Sequence, residues 1–139
     1  MSKPISGYFT GTSGEGKALI AKVIARGYKI TPSEVVGIAR DPTGRIIWLE
    51  KGHLGANPSG LAHILEAHES DFNRIGIMSA DIPDFILTAA VKGEVIGYQG
   101  KGTSRPIYKV NYNGSEYIVA ITVGTNGYIV GANPKSKKE

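Results

Sequence analysis

Residues 94–134 read EVIGYQGKGTSRPIYKVNYNGSEYIVAITVGTNGYIVGANP, and the period of this stretch decides the fold class. Apolar and polar residues alternate over Val95–Gln99, Pro106–Tyr112, Tyr117–Val123 and Tyr128–Ala132, the period of two expected of half-buried strands. The spacers are glycine-rich. Asn113-Gly114 is the strongest hairpin signal and Gly124-Thr125-Asn126-Gly127 the next, so an antiparallel meander is expected. Alternation puts Tyr117, Val119, Ile121 and Val123 on one face and Ile118, Ala120 and Thr122 on the other.

Upstream, the period changes to that of helices. GEGKALIAKVIARG sets Leu19, Ile20, Val23 and Ile24 at helical spacing before Gly27. Thr31-Pro32-Ser33-Glu34 has the form of a capping box, which predicts a short helix from Pro32 to Ala39. Asp41-Pro42-Thr43-Gly44 is a turn, and Arg45–Glu50 is β-branched and aromatic, a strand. Asn57 and Pro58 then open a helix whose stripe is Leu61, Ile64, Leu65, His68 and Phe72, and a fourth helix is expected over Asp81–Val91. Helices followed by a meander give an α+β domain in which helices pack on a four- to five-stranded antiparallel sheet. Residues 1–14 read as a flexible lead-in, 15–134 as one domain and 135–139 as a basic tail.

The 139 residues suffice for one core, and the absence of cysteine excludes disulfides, thiolate metal sites and a cysteine nucleophile. No apolar run approaches the roughly 20 residues of a membrane span, and MSKPISGYFTG lacks the apolar segment of an export signal. Net charge is +4, unevenly spread. Residues 1–95 carry ten Lys/Arg against ten Asp/Glu, whereas 96–139 carry six against two. A basic surface of this kind attracts polyanions, and RNA is the expected partner.

Gly11–Lys17, GTSGEGK, nearly spells a phosphate loop, but Ala18 replaces the required hydroxyl and no strand precedes it. His63 and His68 are five apart, about 140° around a helix, so they do not form a helical metal pair. Each is a candidate acid or base, because an imidazole titrates near neutrality. His68, on the apolar stripe, also reads as a buried structural histidine, and His53 as a plainly exposed one. No metal or other cofactor is expected. The meander supplies Lys101, Ser104, Arg105, Tyr108, Lys109, Thr122, Thr125 and Asn126, with Lys51 before the third helix. Such residues provide the cations that RNA cleavage without metal needs to stabilise a charged phosphorane.

LEKG, then GLAHILEAH with Phe72 and Gly76-Ile77, then QGKGTSRPIY and VAITVGTNGYIVGANP, together resemble nuclease domains of the barnase/EndoU/colicin/RelE-like superfamily. The resemblance spans residues 45–134 and is nearest to phage-encoded versions and to C-terminal toxin domains of contact-dependent growth inhibition (CdiA-type). It implies metal-independent cleavage of RNA, with tRNA as the expected target, through a 2′,3′-cyclic phosphate. It favours His63, His68, Arg105, Tyr108 and Thr122 as catalytic residues and Asn126 beside them, while Lys51, Lys101, Ser104, Lys109 and Thr125, from the reading of the residues, are expected with Asn126 on the substrate. It further implies delivery as part of a larger secreted or cell-surface toxin, action in the target-cell cytoplasm, neutralisation by an acidic immunity protein, and a reaction with or without a host translation factor. Barnase-type members use a glutamate in the late strands, which this meander lacks, so the general base stays unassigned. The readings from other classes are a non-catalytic RNA- or protein-binding module on the same sheet and a phage structural protein with a vestigial nuclease fold.

Overall fold

The computed structural model describes residues 7–135; residues 1–6 of the expected lead-in and 136–139 of the expected tail lie outside the described residues. Helix α1 (Gly14–Ala25) starts where the Ser13 hydroxyl accepts the Gly16 N–H at 2.9 Å, and it buries Leu19, Ile20 and Val23. The preceding residues are tied down: Phe9 bridges to Ile38, and the Tyr8 hydroxyl donates to Asp84 at 2.6 Å.

The helix expected over Pro32–Ala39 is a correction. Pro32–Glu34 make a single 3-10 turn, and Val35–Arg40 form strand β1, antiparallel to β2 (Ile46–Glu50). Two causes compete with the capping box. The Thr31 N–H, which the box would give to Glu34, donates to Glu50 Oε2 at 3.1 Å. Val35, Val36 and Ile38 are β-branched, and Gly37 lets the strand lie where a Cβ would stand 2.4 Å from Leu87.

Helix α2 (Gly60–Arg74) begins after Ser59, two residues later than Asn57-Pro58 implied, because Asn57 and Gly60 hold φ of 54° and 74°. Helix α3 (Ile82–Lys92) follows the 3-10 turn Ser79–Asp81 and is buried over Phe85–Ala90. Strands β3 (Glu94–Tyr98), β4 (Pro106–Tyr112), β5 (Ser115–Val123) and β6 (Ile129–Lys135) form an antiparallel sheet in sequential order. The β4–β5 turn has φ of 50° at Asn113 and 86° at Gly114, the left-handed pair that a tight hairpin demands. The fold is therefore α+β, as the period change implied, with helices against antiparallel sheets of two and four strands.

A parallel bridge between Trp48 and Tyr128, with the Trp48 N–H donating to Gly127 O at 3.0 Å, joins the two sheets side by side. Alternation along β2 then sorts two cores. Ile47 and Leu49 join Phe72, Phe85, Ile86, Tyr112, Val119 and Ile121 beneath α2 and α3, while Ile46 and Trp48 join Leu19, Ile20 and Val23 beneath α1. The helices thus divide between the faces. Helix α1 covers only the β1–β2 end of its face, so among the described residues no helix lies over the β3–β6 part of that face. Among the described residues no helix is long and apolar enough to cross a membrane.

Candidate functional site

Cross-strand register decides which side chains share the uncovered face. Ile107 pairs with Ala120 and Ala120 with Asn133; Lys109 pairs with Ile118 and Ile118 with Lys135. The Val123 N–H donates to Ser104 O at 3.0 Å, so Arg105 stands opposite Thr122. A bulge between Thr122 and Val123 makes Gly131, not Val130, the partner of Thr122. Partners across a ladder share a face, with Cβ positions about 5 Å apart. Arg105, Thr122 and Gly131 therefore form one row across the sheet.

His63 ends that row. A Cβ built on Gly131 would lie 3.7 Å from His63 Cδ2 and 3.9 Å from Nε2, so the imidazole sits over the strand on the Thr122 side. Helix α2 delivers it there because it packs along the edge strand β6 while Ile64 and Phe72 enter the core. The helix start is pinned by reciprocal backbone bonds between His53 and Ser59 at 3.1 Å, and by the Ser59 hydroxyl against the Tyr128 hydroxyl at 3.0 Å. Gly52 and Gly60 allow this closure, because a Cβ on either would meet backbone atoms of the other's segment at under 3 Å. His63 Nδ1 is buried without a hydrogen-bond partner among the described residues. Nε2 is then the nitrogen that faces the row.

The middle of the face is bridged by polar groups. Gln99 and Asn133 pair their amides at 3.4 Å, and Lys135 Nζ donates to Gln99 Oε1 at 3.0 Å. In a flat sheet β3 and β6 would be about 14 Å apart. The sheet must curl for these side chains to meet, and the bridge explains why Ala120 is 2% exposed without a helix over it. Sequence reading missed Gln99, Asn133, Lys135 and Ser59; the Gln99–Asn133 partnership joins residues 34 positions apart.

The expected residues divide accordingly. His63, Arg105 and Thr122 share the uncovered face, with the Arg105 guanidinium lying toward Gly100 of the β3–β4 loop. Lys109 shares the face at its far end, 3.8 Å from Glu94 and 4.0 Å from Glu116. Strand β5 starts at Ser115, earlier than alternation suggested, and so brings Glu116 into the late strands. It lies six residues from Thr122, about 20 Å along the strand, too far to serve His63 as a partner. Lys101 and Ser104 are exposed in the loop after β3, and Lys51 is exposed after β2. Thr125 is exposed, and Asn126 shapes its turn by accepting the Tyr128 N–H at 3.0 Å.

Two expected residues lie elsewhere. His68 hydrogen-bonds Asp71 at 2.9 Å along its own helix, and Asp71 also takes Arg74 at 2.9 Å. The His68 and then the Arg74 hydrogen bonds hold the Asp71 carboxyl below its ordinary value. Tyr108 alternates onto the opposite face from Thr122, 7% exposed. It therefore cannot act on the same ribose or phosphate as Thr122, which corrects the joint role expected of them. Burial, then the Asp41 charge, raises its hydroxyl pKa.

Among the described residues no three or more His, Asp or Glu side chains gather as metal ligands would. The row instead offers one imidazole, one guanidinium and one hydroxyl on a face that also carries Lys109 with its partners Glu94 and Glu116, and Lys135. Such a set can transfer a proton and bind a phosphate. No protein-family model matches the chain, and no curated protein sequence matches it significantly.

Proposed function

We propose that this chain is an endoribonuclease of toxin type that cleaves RNA, tRNA above all, without a metal. The observation that carries the reading is the His63 imidazole seated against Gly131 in the row of Thr122 and Arg105. Attack of a ribose 2′-OH on the adjacent phosphate forms a P–O2′ bond and breaks the P–O5′ bond. The 2′ proton leaves to a base, and the departing 5′-oxygen gains one from an acid. His63 Nε2 performs one of these transfers; Arg105, with Lys101 at the loop, holds the phosphate as charge builds on it. Thr122 orients the ribose or phosphate through its hydroxyl.

A toxin of this kind acts in competition between bacteria, delivered as part of a larger protein and neutralised in the producer by an acidic immunity protein that covers the basic face. The test is total RNA incubated in EDTA with wild type, His63→Ala, Arg105→Ala and His68→Ala. General acid–base groups contribute roughly 100- to 10,000-fold and a donor to developing transition-state charge roughly 100- to 1,000-fold, so His63→Ala and Arg105→Ala should each lose at least about 100-fold while His68→Ala keeps most activity. A wild type that leaves RNA intact would refute the nuclease. If it still retards tRNA on a gel, the binding-module reading takes its place.

A further inference from the structure

On the opposite side of the same sheet end lies a cleft of about 240 Å³ lined by Asp41, Thr43 and Arg45 from the β1–β2 turn and by Tyr98, Thr103 and Tyr108 from the meander. Clefts for drug-sized ligands run roughly 300–1,000 Å³, so this one suits a single heteroaromatic ring. Its polar groups are only partly spent. Tyr108 is 7% exposed overall, and its hydroxyl, which makes no hydrogen bond to a described residue, opens into the cleft beside Asp41, Arg45 and Tyr98.

Asp41 uses one oxygen only. Its Oδ1 accepts the Thr43 N–H at 2.9 Å, the Thr43 hydroxyl at 2.6 Å and the Arg45 N–H at 3.1 Å, whereas no described residue donates to Oδ2. Arg45 spends Nη2 on Gly124 O at 2.6 Å and keeps its other donors. Tyr98 is 50% exposed and forms no ring contact with another aromatic side chain among the described residues. An aromatic face beside an unpaired carboxylate oxygen, a free hydroxyl and guanidinium donors matches a nucleobase better than a sugar or a phosphate. Guanine presents adjacent N1–H and N2–H donors for a carboxylate and O6/N7 acceptors for an arginine.

We propose that this cleft binds a guanine base of the nucleic-acid strand held on the opposite face, with Tyr98 as the stacking platform and Asp41, Tyr108 and Arg45 reading its edges. Thr122 and Val123 are consecutive in β5, the first on the uncovered face and the second in the cleft. Loop residues 99–105, with Lys101 and Arg105, border the same sheet end. The inference rests on the nucleic-acid reading above but not on cleavage. It assigns Tyr108 to recognition rather than chemistry.

The experiment is an NMR titration of amide shifts with GMP, AMP, CMP and UMP, then with a non-cleavable 2′-deoxy trinucleotide that contains one guanine. GMP should shift Asp41, Thr43, Tyr98, Thr103 and Tyr108 and bind tighter than AMP or UMP, and the trinucleotide should bind tighter still and also shift Thr122 and Gly131. Tyr108→Phe, which keeps the ring packed, should weaken GMP by roughly 5- to 10-fold, and Asp41→Asn, which keeps the turn's acceptor, should abolish the preference for guanine. Shifts absent from the cleft, equal affinity for all four nucleotides, a trinucleotide no tighter than GMP, or unchanged binding in Tyr108→Phe would each overturn the proposal. Guanine bound in the cleft by a wild type that cuts no RNA would leave this inference standing and remove the nuclease. Cleavage with no shifts at the cleft would do the reverse.

Discussion

His63 and Gly131 are a pair in which the absence of a side chain matters as much as the ring. A methyl at position 131 would stand in ordinary contact with the imidazole, and the backbone there imposes no left-handed φ. Gly131→Ala should therefore keep near-normal RNA cleavage, whereas Gly131→Leu should displace the ring and cut kcat by at least about tenfold with little change in Tm. Equal activity in both variants would mean that the ring position does not matter. Asp84 is the structural counterpart. Its two oxygens accept the Tyr8 and Tyr112 hydroxyls at 2.6 Å each, which ties the first described residues and β4 to α3. Asp84→Ala removes both acceptors and should cost about 2–4 kcal/mol in urea denaturation.

At the level of elements, β4 carries a stability signature. Burial and the Asp84 hydrogen bond raise the Tyr112 hydroxyl pKa, and burial raises that of Tyr108. Each group is easier to ionise in the unfolded chain, so its stabilising contribution is complete below the unfolded value near 10 and is lost as pH rises toward the folded value. Stability should fall as pH rises above about 10, with Tyr112 and Tyr108 contributing in the same direction. Tyr112→Phe should lower stability at neutral pH and flatten the alkaline limb, and an unchanged limb would show that Tyr112 is not its source. Strand β1 teaches a different lesson. Thr31-Pro32-Ser33-Glu34 is a helix start by local rules, and it yields one turn because Glu50, 19 residues away, takes the Thr31 N–H. Local capping chemistry was legible; its competitor was not.

For the whole molecule, the uncovered face concentrates cationic side chains and should bind RNA with a steep salt dependence. If Arg105, Lys101 and Lys135 each neutralise one phosphate, with Lys109 held by Glu94 and Glu116, log K should fall against log salt with a slope of about −2 for a single strand. Arg105→Ala should make that slope shallower by about 0.7. A flat response in filter binding would place RNA elsewhere.

The sequence by itself determined the α+β class, the four-strand meander and the opposition of Thr122 to Val123, because strand alternation and hairpin residues are local properties. It also named His63, His68, Arg105, Tyr108 and Thr122 as candidates for chemistry, without distinguishing among them. That His63 lies over the Thr122–Gly131 row is a tertiary matter, since a bulge at β6 and the packing of α2 along that edge strand set which residue faces the imidazole. The late glutamate shows the same division. Glu116 does fall in the meander, but its distance along β5 from Thr122, and hence its exclusion from the site, follows from where the strand begins. The Gln99–Asn133–Lys135 bridge and the Asp41–Tyr108 cleft were invisible for a common reason: each joins residues far apart in the chain, brought together only by the curl of the sheet and the docking of the β1–β2 turn.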